Sequence, residues 1–490
     1  MLFNSFHFLL FFSIIVPLYY WLPHRNRWQL LLLGSCYFYM AFVPIYILIL
    51  FFTIVIDYFA GIFIEKSAGH RRRVLLLISL TANIGILAIF KYYNFLVDNL
   101  SFLLGVLASE NPVPHLSILL PIGLSFHTFQ AMSYTIEVYR GNQKAEKHFG
   151  TYALYVMFFP QLVAGPIERP QNLIHQFYEP HTFDYVRITE GLRLMAWGLF
   201  KKVVIADRLA IVVDQVFNNP HDHNGLSFMV ASLFFSFQIF CDFSGYSDMA
   251  LGAARVMGFN LMTNFRQPYL AQSVDAFWQR WHISLSSWFK DYLYIPLGGN
   301  RVSRPRWLFN IMIVFLISGI WHGASWTYAI WGGLHAFYFI ASALTRNLRL
   351  AVAQTFRIDR LPVFHSTLRV AFTFSLVCFA WIFFRANSVS DALHISGMII
   401  AVLPNLVQLF QGSNAELSAL TIQFSRTDLA ICLVSIALME TVHYLQNKGR
   451  LNELYRSLPQ LARWPAYIIF VLFIVEFGKF QGKQFIYFQF

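Results

Sequence analysis

The chain has 490 residues, 57% of them hydrophobic, 18% aromatic and only 12% charged, about half the charged share of a soluble domain. That excludes water as the main solvent and points to an all-α, polytopic integral membrane protein. The net charge of +12 does not imply nucleic acid, because the basic residues sit in short loops between apolar runs, where they act as topology signals.

An α-helix needs about 20 apolar residues to cross a hydrocarbon core of about 30 Å. The first such run, 6–22, has no basic residue before it and no small-residue cleavage pattern after it, so it reads as a retained helix and not as a signal peptide. Further helices are expected over 28–42, 45–65, 74–97, 116–139, 150–164, 189–216, 226–240, 307–320, 327–344, 366–385, 389–404, 427–445 and 465–478, some too short to span alone. Lys and Arg gather at Arg25 and Arg27, at Lys66 to Arg73, at Arg140 to Lys147, at Arg280 to Arg306 and at Arg346 to Arg360. The turn 41–44 and the stretch 98–114 carry none, which puts the N-terminus outside and Asn99 in an outer loop. After residue 385 the pattern fixes no orientation, and 406–427 reads as a loop on either face. No internal repeat or appended soluble segment is visible, so residues 1–490 read as one membrane domain.

Two segments carry candidate chemistry. Between Asp275 and Arg301 aromatic and charged residues mix densely, with Trp278, Trp281 and Trp288 at helical spacing and Arg280, Ser284, Ser287 and Asp291 on another face. A helix over 277–297, re-entrant into a protein-lined cavity, accounts for this pattern, and so does an amphipathic anchor at the headgroups. The sharper signal is Gly319-Ile320-Trp321-His322-Gly323-Ala324-Ser325-Trp326, in which an imidazole ends an uninterrupted apolar run. Since the chain must leave and return between Arg306 and Arg346, 307–320 and 327–344 form a hairpin with His322 near its turn. Ionisable residues inside a membrane are rare and mark function by default, the alternative being a histidine bonded to a neighbouring helix. Glycines 319 and 323 would let a ligand or acyl chain approach the ring. An imidazole is suited to take a proton from a hydroxyl during acyl transfer.

Asp242 and Asp248 stand in apolar sequence, Asp248 as a cap for a helix beginning near it. His221-Asp222-His223 is an incomplete metal set in a polar turn, and His127 and His335 read as helix-packing residues. The four cysteines show no CxxC pair, so neither disulfides nor zinc is indicated, and no metal site is expected. GxSxG, Walker, HExxH and GxGxxG motifs are missing.

The blocks Pro121-Ile122-Gly123-Leu124-Ser125-Phe126, Phe159-Pro160-Gln161-Leu162-Val163-Ala164-Gly165-Pro166, Asp242 to Asp248, Arg280-Trp281-His282-Ile283-Ser284-Leu285, Asp291 to Arg301, Trp321-His322-Gly323 and Phe485 to Phe490 run along nearly the whole chain. In them it resembles the bacterial branch of the membrane-bound O-acyltransferase family, the membrane subunits of alginate, peptidoglycan and cellulose O-acetylation. The resemblance implies a ring of tilted transmembrane helices with re-entrant segments about a central channel, a cytoplasmic funnel for the donor and an outer opening for the acceptor. It makes His322 the catalytic histidine and His282 the second signature position. It also implies acetyl-coenzyme A as donor substrate with no permanently bound cofactor, an inner-membrane location, and a separate extracytoplasmic partner of the SGNH-hydrolase type that serves the polysaccharide acceptor. The basic stretch offers cations to the donor phosphates, which makes Trp278, Arg280, Trp281, Lys290, Asn300 and Arg301 the candidate donor-binding residues. A transporter or a non-catalytic export scaffold are the competing readings. The first should show paired halves with matching broken helices, and the second has no use for a buried His322.

Overall fold

The computed structural model describes residues 1–106, 111–117, 120–163, 165–422, 424–457, 459–480 and 485–486. Among them every regular element is helical. Five helices are long and apolar enough to cross a membrane: Pro44–Lys66, Gly69–Val106, Gly225–Met257, Pro362–Arg385 and Arg426–Asn447. A sixth span arises if the pair Val389–Ile400 and Leu403–Phe410, bent by 49°, counts as one. The protein is therefore an all-α polytopic membrane protein, as its composition predicts.

Most expected helices are present with shifted ends; the one expected over 150–164 is split at Phe158 into Phe149–Met157 and Phe159–Leu162, and four further differences follow from local chemistry. The helix beginning at Gly69 runs on through a π-helical turn, Ala88–Tyr92, to Val106, because Leu100 to Val106 is as apolar as what precedes it; Asn99 thus lies on a helix and not in a loop. The helix expected from 116 begins at Leu124, after Gly123 in a left-handed conformation (φ +78°). The span 406–427 contains the helices Leu403–Phe410 and Asn414–Thr421. The helix expected to stop at 240 is a single 33-residue element, Gly225–Met257, whose Ser and Gly residues do not break it. Asp248 lies inside that helix, so it caps nothing.

The chain divides into two compact units, Met1–Trp197 with Tyr246–Thr263, and Gly198–Gly245 with Asn264–Ile486. In the first, helices Ile47–Lys66, Gly69–Leu87 and Leu124–Arg140 bury Asp57, which accepts hydrogen bonds from Ser79 Oγ (2.6 Å) and Asn83 Nδ2 (2.9 and 3.1 Å). His127 Nε2 lies 2.5 Å from Thr53 Oγ1, the packing role expected of it. Glu168, in the connection before the short helix Pro170–Leu173, is fully buried and accepts the Met262 N–H (2.5 Å). Burial pushes its carboxyl up from the ordinary 4.5 to about 7, against the pull of the Met262 amide and Arg169. The folded chain thus holds a proton that the unfolded chain releases between those values, so this group's contribution to stability falls as pH rises from 4.5 to about 7 and is level above. Glu168→Gln should flatten that part of the profile of melting temperature against pH in detergent. An unchanged profile would mean that the folded carboxyl is ionised throughout.

In the second unit, the π-helical turn Phe200–Ala206, the helix Asp207–Asn218 and the first part of helix Gly225–Met257, up to Gly245, enclose a buried charge cluster. Lys202 Nζ donates to Asp207 Oδ1 (2.8 Å) and Asp242 Oδ1 (2.5 Å), and Lys201 Nζ donates to Ser244 Oγ (2.9 Å). Asp242 Oδ2 accepts the backbone N–H of Ile486 (2.7 Å). Asp242 is thereby half of a buried ion pair that also holds the C-terminal segment, and removing one partner would strand the other's charge. His221-Asp222-His223 forms the turn before Gly225, with His221 and Asp222 exposed. Of the terminal block Phe485 to Phe490, Tyr487–Phe490 lie outside the described residues.

Candidate active site

The hairpin predicted from two apolar arms is present, as helices Arg304–His322 and Trp326–Leu344. Ser303 precedes the first arm and Pro305 occupies its first turn, where a missing N–H costs nothing. His322 is its last residue, followed by Gly323 in extended backbone (φ −161°).

The glycines have another role than the one expected. A Cβ on Gly319 would stand 2.3 Å from the Tyr328 carbonyl oxygen, and one on Gly332 2.3 Å from that of Phe315. The two arms therefore touch backbone to backbone. A Cβ on Gly323 would lie 2.1 Å from the Tyr328 ring. The space beside these glycines is filled by the opposite arm, so they close the hairpin and do not open a path to the ring.

His322 is 3% exposed and stands in an aromatic box. Its ring centroid is 4.9 Å from Trp321, 5.1 Å from Trp331 and 5.5 Å from Phe384, each edge to face. Trp331 stacks on Trp381 (5.6 Å, 20°) and also meets His335 (5.0 Å), Phe384 (5.1 Å) and Trp278 (5.8 Å). Trp278 Nε1–H donates to His335 Nδ1 (3.3 Å), which ties the Asp275–Arg301 stretch to the second arm. His335 is thus held by a helix neighbour, as read from the sequence, but two rings from His322.

The stretch expected to form one helix over 277–297 is broken. It folds as Val274–Trp278, a turn, Ile283–Phe289 and a π-helical turn Lys290–Tyr294. The break falls on His282, which is fully buried with φ +44° and ψ +54°, a left-handed conformation that costs a residue with a Cβ about 1–3 kcal/mol. The surroundings hold it there. Ile283 N–H donates to Asn264 O (2.9 Å), Ser284 Oγ to Asn264 Oδ1 (2.6 Å), and the His282 carbonyl accepts from Leu285 and Ser286. The imidazole packs 4.6 Å from Phe243 and 6.4 Å from Trp321. His282 and His322 accordingly both neighbour one indole, that of Trp321, although 40 residues separate them in sequence.

A cavity of about 490 Å³ is lined by Trp278, Ile283, Lys290, Tyr294, Phe315 and Ser318 among others, and neither His282, Trp321 nor His322 is part of its wall. Ile311, Val314, Phe315 and Ser318 form one stripe of the first arm at three- and four-residue spacing, and the next position of that stripe is His322. Of the candidate donor-binding residues, Trp278 and Lys290 line the cavity. Trp281 does not, being 1% exposed in a core with Phe277, Phe265 and Trp381. Asn300 and Arg301 are exposed in the turn that Asn310 pins through the Leu297 and Gly299 carbonyls, and Arg280 is half-buried outside the lining. Sequence reasoning passed over Trp331, Trp381 and Phe384, whose i, i+3 spacing in the last pair reads as core, and over Lys201 and Lys202. The latter were findable, since they interrupt an apolar run as His322 does.

A many-spanning helical protein built about a buried histidine on a closed hairpin is the class that fold and site define. Residues 125–384 match the membrane-bound O-acyltransferase family. The chain belongs to that family and is an acyltransferase. It is 40% identical over 398 residues to a probable alginate O-acetylase of Azotobacter vinelandii, covering 80% of this chain and 76% of the relative. With a probable alginate O-acetylase of Pseudomonas syringae pv. tomato it shares 37% over 458 residues, 92% of this chain and 84% of that one. A peptidoglycan O-acetyltransferase of Helicobacter pylori is 36% identical over 401 residues, 75% and 73% of the two chains.

Proposed function

We propose that the chain carries acetyl groups from cytoplasmic acetyl-coenzyme A across the inner membrane for O-acetylation of an extracytoplasmic polysaccharide of the alginate, peptidoglycan or cellulose type. A separate SGNH-type transferase completes the transfer, and the N-terminus faces outward. The observation that supports this reading is the cavity whose wall includes Lys290 and the stripe Ile311 to Ser318, one helical turn before the buried His322. A thioester reaching along that stripe brings its carbonyl toward the imidazole, while the Lys290 ammonium meets a donor phosphate. His322 takes the proton of the attacking hydroxyl, the acyl C–O bond forms as the C–S bond breaks, and the proton passes to the departing thiolate. His282, held beside Trp321, completes the same site. Relatives named for alginate and peptidoglycan O-acetylation support the choice of acetyl group and acceptor class.

Sealed vesicles of the two orientations, carrying the chain and a candidate SGNH-type transferase, test this with radiolabelled acetyl-coenzyme A outside. Inverted vesicles should pass label to the acceptor and right-side-out vesicles should not. Equal labelling in both would overturn the donor side, and no labelling in either would overturn the donor.

A further inference from the structure

A second cavity, of about 590 Å³, lies away from the histidines in the second unit. Its walls are the end of helix Trp326–Leu344, the short helix Arg346–Thr355, the start of helix Pro362–Arg385 and residues 272–274. The lining is mostly apolar, with Phe337, Val352, Leu368 and Phe372 exposed and two arginines, Arg349 and Arg369, as its cations. Arg349 uses one nitrogen on Ser342, donating to its carbonyl (2.6 Å) and Oγ (3.1 Å). Arg369 uses Nε on the Gln272 carbonyl (3.3 Å). Neither has an ion-pair partner among the described residues, so the rest of each guanidinium fork is available. Across 346–372 five arginines face a single acid, Asp359. Helix Arg346–Thr355 sets two of these arginines, Arg346 and Arg349, among Leu348, Leu350 and Val352, all substantially exposed, the composition of a helix lying in a headgroup layer.

An apolar groove with two unopposed guanidinium groups, next to an interfacial helix, matches one occupant in both its parts. We propose that it is a specific site for an anionic glycerophospholipid, whose headgroup phosphate is held by Arg349 and Arg369 and whose acyl chain lies along Phe337, Leu368 and Phe372. Arginine forks bind phosphate through paired charge-assisted hydrogen bonds, and each basic residue near an anionic membrane surface adds comparably to binding. A zwitterionic lipid brings its own cation to the headgroup and loses that advantage.

The purified full chain is titrated with phosphatidylglycerol or phosphatidylcholine in detergent, reading bound lipid by native mass spectrometry and melting temperature in parallel. Phosphatidylglycerol should be retained and raise the melting temperature, and phosphatidylcholine should do neither. Arg349→Gln with Arg369→Gln should weaken phosphatidylglycerol binding by roughly 30-fold, and each single change by roughly fivefold, which keeps the test open should the double variant fail to fold. Undiminished phosphatidylglycerol binding in these variants overturns the site. So does arginine-dependent stabilisation by coenzyme A without any by phosphatidylglycerol, which would give the groove to the acyl donor.

Discussion

His322→Ala should reduce acetyl transfer by roughly 10²–10⁴-fold, the usual cost of removing a general base, while the protein still inserts and purifies. The imidazole contributes packing as well as chemistry, since it fills a box of Trp321, Trp331 and Phe384. Truncation leaves a void there, so some loss of melting temperature accompanies the loss of activity. His322→Gln separates the two effects, because it keeps most of the side-chain volume and a polar head but offers no base. If the role is proton transfer, Gln should be as inactive as Ala and nearer to wild type in stability. Activity above about a tenth of wild type in the Gln variant would assign the residue to packing and remove the base from the mechanism.

The parts legible in the sequence are those that local pattern dictates. Apolar runs of helical length gave the helices, and an imidazole at the end of one of them singled out His322, because lipid tolerates an ionisable group only where protein receives it. The arms of the hairpin could be drawn from the positions of Arg306 and Arg346 alone. What pattern cannot carry is the identity of a distant partner. Trp331 stacks on Trp381 fifty residues on, and Lys202 pairs with Asp242 forty residues on; a charge in an apolar run can be seen at either end, but nothing local says which distant residue it meets.

The glycines show a different limit. Absence of a Cβ signals close approach by something, but the sequence does not say by what, and at Gly319 and Gly323 the neighbour is the opposite arm of the hairpin. The unbroken helix Gly225–Met257 marks a third. Its Asp-Phe-Ser-Gly-Tyr-Ser-Asp stretch has the residues of a turn, yet Gly245 is placed in the helix where a Cβ would stand 2.6 Å from the Gly198 carbonyl. Tertiary packing overrides the local preference there.

Joint action of His282 and His322 on one transition state predicts strongly non-additive substitutions. The first choice of probe for His282 is Asn and not Ala, because the residue sits at φ +44°, and Asn visits the left-handed region at less cost than other residues with a Cβ. His282→Asn keeps the turn between Trp278 and Ile283, and with it the register of Ser284 and Lys290, while removing the imidazole. Both rings border Trp321, so one transition state served by both would feel the loss of either. His282→Asn alone should then cost at least roughly 10²-fold in turnover, and the double variant with His322→Ala should be hardly worse than His322→Ala by itself. Independent contributions would multiply instead, since effects at uncoupled sites add in free energy. A third pattern, in which His282→Asn leaves turnover intact and raises only the acetyl-coenzyme A concentration needed for half-maximal rate, would make His282 a donor-binding residue and leave His322 to act alone.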